Sequence, residues 1–282
     1  RLQDGLLMSM EKIEDLSKEE TQLPQPEGNF EVAKKILENR EYDVVVCGEV
    51  KKGKSSFINA IIGQDVLPVN SDIATSQVFR LSNSKDGQEH FSLCFTDGSK
   101  RNIQRDELSK YGSQVEANEK GVPEFSDKTL AYIQVEVSAA FLPQGVSLVD
   151  TPGLGALYKS HEYITQTYIN KAAAVVFVLD YERPIVEQEV KFINKVLDVT
   201  PYVLFVITKS DRYTEDERRA IITRDEEILA GIYAERNLKA PRIYPVSSSA
   251  LMGASQKRIE KMRKASLSAS GFSEIESQLM RL

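Results

Sequence analysis

The chain has 282 residues, 41% of them hydrophobic, and a formal net charge of −6. That length and apolar content suffice for one substantial core with an appendage. The acidic balance argues against a nucleic-acid-binding surface, so no nucleic-acid partner is expected, and it argues mildly against a domain lying flat on an anionic bilayer.

In chain order, Leu2, Leu6, Met10, Ile13 and Leu16 recur at spacings of three and four, which draws an apolar stripe along a helix. Its polar face is as acidic as basic, which argues against a membrane-surface helix. Residues 21–28, with two prolines and a glycine, break it, and a second helix is expected over Phe30–Asn39. Residues 1–35 are therefore set apart as a helical segment and residues 36–282 as the main domain.

The run Tyr42–Cys47 reads as a buried strand. It is followed by Gly48-Glu49-Val50-Lys51-Lys52-Gly53-Lys54-Ser55, a G-x-x-x-x-G-K-S loop, and then by helical residues from Ser56 to Ile62. Gly48 and Gly53 let the backbone curl so that N–H groups converge on an anion, and the start of the helix adds its positive dipole end. Lys54 is the expected cation for β- and γ-phosphate oxygens and Ser55 a Mg²⁺ ligand. Val50, Lys51, Lys52 and Ser56 complete the loop around the phosphates.

Roughly seventy residues separate Thr75 from Asp150. An interval that long needs strands of its own, and the alternation at 90–96 and 130–138 supplies them. Strand 145–150 ends in Asp150-Thr151-Pro152-Gly153-Leu154. Here Asp150 would hold Mg²⁺ through water and Gly153 would offer its N–H to the γ-phosphate. A further strand, 202–208, ends in Thr208-Lys209-Ser210-Asp211. The Asp211 carboxylate can accept from guanine N1–H and its 2-amino group together, a donor pair that adenine lacks, and the Lys209 stem can cover the base. The short strand at 242–246 leads to Ser247 and Ser248, placed for a contact with guanine O6. The expected ligands are therefore GTP or GDP with Mg²⁺.

Strands are expected near 43–47, 77–82, 90–96, 130–137, 145–150, 173–179, 202–208 and 242–246. Helices are expected at 54–63, 160–171, 185–197 and 214–236. These elements predict an α/β fold with a mostly parallel mixed sheet and helices on both faces, and with the motifs in this order they resemble a P-loop GTPase domain. The predicted chemistry lies at the carboxyl ends of strands. Cys47 and Cys94 sit in apolar runs and read as buried thiols in a reducing compartment. No signal peptide or run of about eighteen apolar residues is present in the sequence. The chain begins without a methionine and stops in an apparent helix, so it reads as part of a longer protein.

These motifs resemble the dynamin superfamily, and most closely its bacterial dynamin-like and mitofusin-like branch. The resemblance rests on residues 53–63 with Val66-Leu67-Pro68 and Thr75, on Phe91–Gly98, on Phe141–Leu154 and on Ser270–Leu279. It implies a GTP hydrolase that self-assembles and pairs its GTPase domains face to face. The full-length protein would be cytoplasmic, peripherally membrane-associated through regions absent from this chain, and active in membrane remodelling. It further implies that Thr75 is the switch threonine, joining Ser55 and Asp150 on Mg²⁺. Leu154 stands where Ras-like enzymes carry a water-orienting glutamine. Lys51 then becomes the candidate cation for transition-state charge, with a bound monovalent cation as the alternative. Phe272, Ile275, Leu279 and Leu282 match the spacing of the N-terminal stripe, so the two termini are expected to pack as the base of a helical neck. Two other readings stay open: an Era- or septin-like switch GTPase acting through effectors, and an interaction module with an inactive site.

Overall fold

The computed structural model describes residues 41–69, 77–112, 128–139, 142–154, 159–256 and 270–279, with backbone alone at 159–162 and 253–256. The N-terminal stripe, the second helix, Thr75, Phe141 and Leu282 lie outside the described residues, and with them the packing expected of the neck.

The strands are β1 (Tyr42–Cys47), β2 (Phe79–Asn83), β3 (His90–Phe95), β4 (Lys100–Ile103), β5 (Leu130–Val137), β6 (Val146–Asp150), β7 (Ala174–Asp180), β8 (Val203–Thr208) and β9 (Ile243–Pro245). They form one sheet in the order β4-β3-β5-β2-β6-β1-β7-β8-β9. β1, β7, β8 and β9 pair in parallel. In the other half β2 runs parallel to β5, while β2–β6, β3–β5 and β3–β4 are antiparallel. The long interval before Asp150 thus contributes β2, β3, β4 and β5 to the sheet, meeting the expectation that it holds strands of its own.

The helices are α1 (Lys54–Ile62), α2 (Leu108–Gly112), α3 (Lys159–Ile169), α4 (Glu187–Leu197), α5 (Glu215–Ala234), α6 (Ser248–Gln256) and α7 (Phe272–Leu279). The near-continuous apolar composition of β1 and β7 follows from burial on both faces. Val44, Val46, Val176 and Val178 pack with residues of α1, α6 and α7. Val45, Cys47, Val175 and Phe177 pack with residues of α3, α4 and α5. Both cysteines are free and buried. On the first face the rings of Phe57 in α1 and Phe272 in α7 stack at 5.4 Å.

Three elements went unpredicted. β4 presents three exposed polar residues and buries Ile103 alone, so it has no apolar run. It forms because the turn at Asp97-Gly98, with Gly98 at φ 82, folds it back on β3. α2 is a five-residue helix following a single 3₁₀ turn. α6 is rich in serine and glycine, a weak helix signature.

Two local devices shape the ground around the glycine loop. α1 is bounded by Gly53 at φ 88 and Gly63 at φ 74, both left-handed. After α1, the buried Asn59 side chain donates to the Leu67 carbonyl at 2.9 Å and accepts from the N–H of Leu67 at 2.8 Å. That clamp fixes the turn carrying Pro68 and Val69.

Candidate nucleotide site

The loop after β1 is shaped by its glycines. Gly48 has φ 143, and a Cβ there would lie 2.4 Å from the Val178 carbonyl oxygen. Lys51 is held at φ 65, a left-handed conformation that costs a non-glycine residue about 1 kcal/mol. Strain of this kind clusters at functional sites. The Lys54 ammonium is buried and donates to the carbonyls of Gly48 at 3.2 Å and Glu49 at 2.9 Å. Burial lowers its pKa from the ordinary lysine range, against the opposing pull of Asp150.

At the end of β6, Asp150 is fully buried and accepts from the Ser55 hydroxyl at 2.6 Å. Burial raises its pKa to about 6, and Lys54 and Ser55 only partly offset the effect. Its second oxygen, Oδ1, is buried without a hydrogen-bond partner. A cavity-lining hydroxyl on a buried carboxylate with one oxygen unsatisfied fits a hard divalent cation with oxygen ligands, held directly or through water. Beyond Asp150, the chain is zipped to the glycine loop: Leu154 N–H donates to Gly48 O at 3.0 Å, and Val50 N–H to Leu154 O at 3.2 Å. A Cβ on Gly153 would come within 2.6 Å of the Val50 Cα, so this approach requires glycine.

The other wall follows β8. Thr208 Oγ1 donates to the Lys52 carbonyl at 2.6 Å. Lys209, at φ 63, places its ammonium 3.3 Å from Asp180 and 3.2 Å from Glu182. The carboxylate of Asp211 accepts from Ser247 Oγ at 2.6 Å and Ser249 Oγ at 3.0 Å. Burial works against ionisation, but these hydroxyls, with a backbone N–H, leave its pKa below the ordinary value.

These walls enclose a cavity of about 550 Å³, within the range of small-molecule sites. Val50, Lys51, Gly53, Lys54, Ser55 and Ser56 line one end. Gly153, Thr208, Lys209, Asp211 and Ser248 line the remainder. Gly48 lies behind the loop, Asp150 behind Ser55, and buried Ser247 behind Asp211. Lys52, expected in the loop around the phosphates, turns its side chain away from the cavity: it is 1% exposed, and its ammonium lies 2.7 Å from Glu189 on α4. Only its backbone is left for the cavity. Pro68, Val69, Glu182, Arg212 and Ser249 also line the cavity and were not expected there. Ser249 was legible as the next residue in the serine run. Glu182, which enters from the end of β7, left no local signal.

Residues 44–210 match the sequence pattern of the Dynamin family. The chain belongs to that family. The fold comparison agrees on the fold. A solved chain from an oligomerised bacterial dynamin pair, described as providing a mechanism for long-range sensing and tethering of membranes, aligns with a TM-score of 0.62 at 20% identity, covering 98% of this chain and 43% of that one. A protein described as in the xynA 3′ region of Caldicellulosiruptor sp. is 32% identical over 233 residues, covering 82% of this chain and 55% of its own length. The bacterial dynamin-like protein of Nostoc punctiforme is 27% identical over 86% of this chain and 36% of its own. Dynamin-like protein A of Bacillus subtilis is 27% identical over 67% of this chain and 15% of its own. The dynamin-type domain thus spans about half, or less, of the length of these relatives. Among the described residues no helix is long and apolar enough to cross a membrane.

Proposed function

We propose that this domain hydrolyses GTP to GDP and phosphate, that two copies pair across the nucleotide face to do so, and that in a longer protein the cycle drives membrane remodelling. The observation carrying the nucleotide assignment is that one cavity unites Lys54, the Ser55–Asp150 pair and the doubly serine-held Asp211 carboxylate. Lys54 and the backbone of residues 50–56 would bind the polyphosphate. Asp211 would accept from the guanine edge, with the Lys209 stem along the base and Ser247 and Ser248 near O6. Ser55, Asp150 and Thr75 would hold Mg²⁺, which when bound neutralises charge on the β- and γ-phosphate oxygens. Gly153 would offer its N–H to the γ-phosphate.

Leu154 supports the pairing. Its side chain has no group to orient water, while its backbone is committed to the glycine loop. Charge compensation then falls to Lys51, whose side chain lines the cavity from a strained backbone, or to a bound monovalent cation. A second copy over the nucleotide face would exclude water and fix the loop of Thr75. Higher assembly, membrane attachment through other regions and a cytoplasmic, peripheral location belong to the same proposal.

Light scattering of the domain with and without GDP–aluminium fluoride tests it. A dimer is expected with the transition-state mimic, along with GTP turnover per molecule that rises with protein concentration. A monomer under both conditions, with turnover independent of concentration, overturns the pairing.

A further inference from the structure

A lysine in the middle of a phosphate-binding loop is expected to face the anion or the solvent. Lys52 does neither. Its ammonium lies among three carboxylates, at 2.7 Å from Glu189, 3.9 Å from Asp180 and 3.9 Å from Glu49. Glu189 is itself 1% exposed, and its other oxygen accepts from the Val186 N–H at 3.2 Å, which anchors it at the first turn of α4. A buried ion pair is a poor source of stability, because well-packed apolar residues of the same volume serve as well or better. Its retention in the floor of the site calls for another account.

The contacts of Lys52 supply one. Its side chain is fastened to α4, while its carbonyl is fastened to Thr208 at the end of β8, so the loop is pinned at the same residue from two directions. Its neighbours on either side, Lys51 and Gly53, both line the cavity and both hold left-handed backbone. Asp180, 3.9 Å from Lys52, is at the same time 3.3 Å from Lys209 of the guanine end. The network therefore runs beneath the cavity from the phosphate loop to the base-recognition loop.

We propose that Lys52 and Glu189 are positioning residues: a buried strut that holds the phosphate loop in its nucleotide-receiving shape and couples the phosphate end of the site to the guanine end. The proposal rests on the guanine-nucleotide reading given above. Neither residue touches the nucleotide through its side chain; both act through the loop backbone. A loop held in shape before binding pays less ordering cost when ligand arrives, so the strut contributes affinity without a direct contact.

The test compares the wild-type domain with Glu189→Gln and with the charge-neutral pair Lys52→Met/Glu189→Gln, reading melting temperature and fluorescence-monitored binding of GDP and of IDP, which lacks the 2-amino group. Glu189→Gln leaves the lysine without its nearest charge partner, only Asp180 and Glu49 remaining at 3.9 Å, and lowers both melting temperature and GDP affinity. The double variant leaves no charge unpaired, so its melting temperature returns towards wild type. Its GDP affinity stays about tenfold weaker, and its preference for GDP over IDP shrinks several-fold. A double variant that regains wild-type GDP affinity, or that weakens GDP and IDP binding equally, overturns the strut. If the double variant does not fold, the GDP-over-IDP preference of Glu189→Gln decides: a several-fold loss supports the strut and an unchanged preference overturns it. Failure of the wild-type domain to bind GDP would instead overturn the guanine-nucleotide reading itself.

Discussion

Ser55 donates to one oxygen of Asp150 at 2.6 Å while the other oxygen of that carboxylate is buried without a hydrogen-bond partner. Burial raises the Asp150 pKa from 3.8 to about 6. The folded state thus holds a proton that the unfolded chain has released, and the sign follows: without Mg²⁺, stability attributable to Asp150 is present below about pH 4 and is lost as pH rises to about 6, by about 3 kcal/mol. Asp150→Asn removes this dependence. Thermal melts of the nucleotide-free domain from pH 4.5 to 7 check it: wild type should lose stability relative to the variant up to about pH 6 and run parallel above it. The same variant should lower Mg²⁺-dependent GTP turnover by about 100-fold or more.

Lys54 reaches its carbonyl partners from a buried position, ready to exchange them for phosphate oxygens. Lys54→Ala should weaken GDP binding by about 100-fold, the scale of losing a charge-assisted contact in a desolvated site. Titration with a fluorescent GDP analogue gives the answer. An unchanged affinity would place the phosphates elsewhere.

Asp211 offers two acceptor oxygens fixed by Ser247 and Ser249. Asp211→Asn replaces one acceptor by an NH₂ donor, which opposes the guanine 2-amino group and suits the carbonyl at that position in xanthine. GTP affinity should fall about 100-fold while XTP affinity rises, and competition binding with the two nucleotides measures the exchange.

Gly153→Ala places a methyl group 2.6 Å from the Val50 Cα, which must push the Asp150–Leu154 turn away from the glycine loop. The phosphate loop itself keeps its residues. GDP affinity should stay within a few-fold of wild type while kcat drops by about tenfold or more, as for loss of an interaction made in the transition state. Equal losses in both would show that the turn serves binding rather than catalysis.

The three nucleotide motifs were legible because each is a local string set between an apolar strand and a turn or helix, so sequence neighbours carry the geometry. Long-range pairings were not legible. Lys52 reads as a surface residue until its partner is known, and Glu189 lies 137 positions away on an amphipathic helix whose one other acid, Glu187, is exposed. Left-handed Lys51 and Lys209 were equally hidden, since that backbone state is announced by glycine and by little else. β4 escaped because an edge strand with one buried side chain has no apolar signature. The sheet around the site was readable from its doubly buried strands, whose uninterrupted valines, isoleucines and phenylalanines have few other destinations.

Phe272→Ala removes the ring stacked on Phe57 and should cost about 3–5 kcal/mol. For a domain of this size that is a melting-temperature loss of roughly 10 °C, measurable by calorimetry.

The same stack has a mechanical meaning. Phe57 stands two residues beyond Ser55, and α7 is also tied at its start, where Ser247 N–H donates to Ser270 O at 2.9 Å and Gly271, at φ 80, packs against the Pro245 carbonyl. The root of α7 therefore bears on both ends of the cavity at once, one ring against the helix behind the phosphates and one peptide against the loop behind the base. A torque applied through residue 279 would be delivered to these two bearings and, through Pro245 of β9 and the strands beneath Phe272 and Ile275, to the sheet itself.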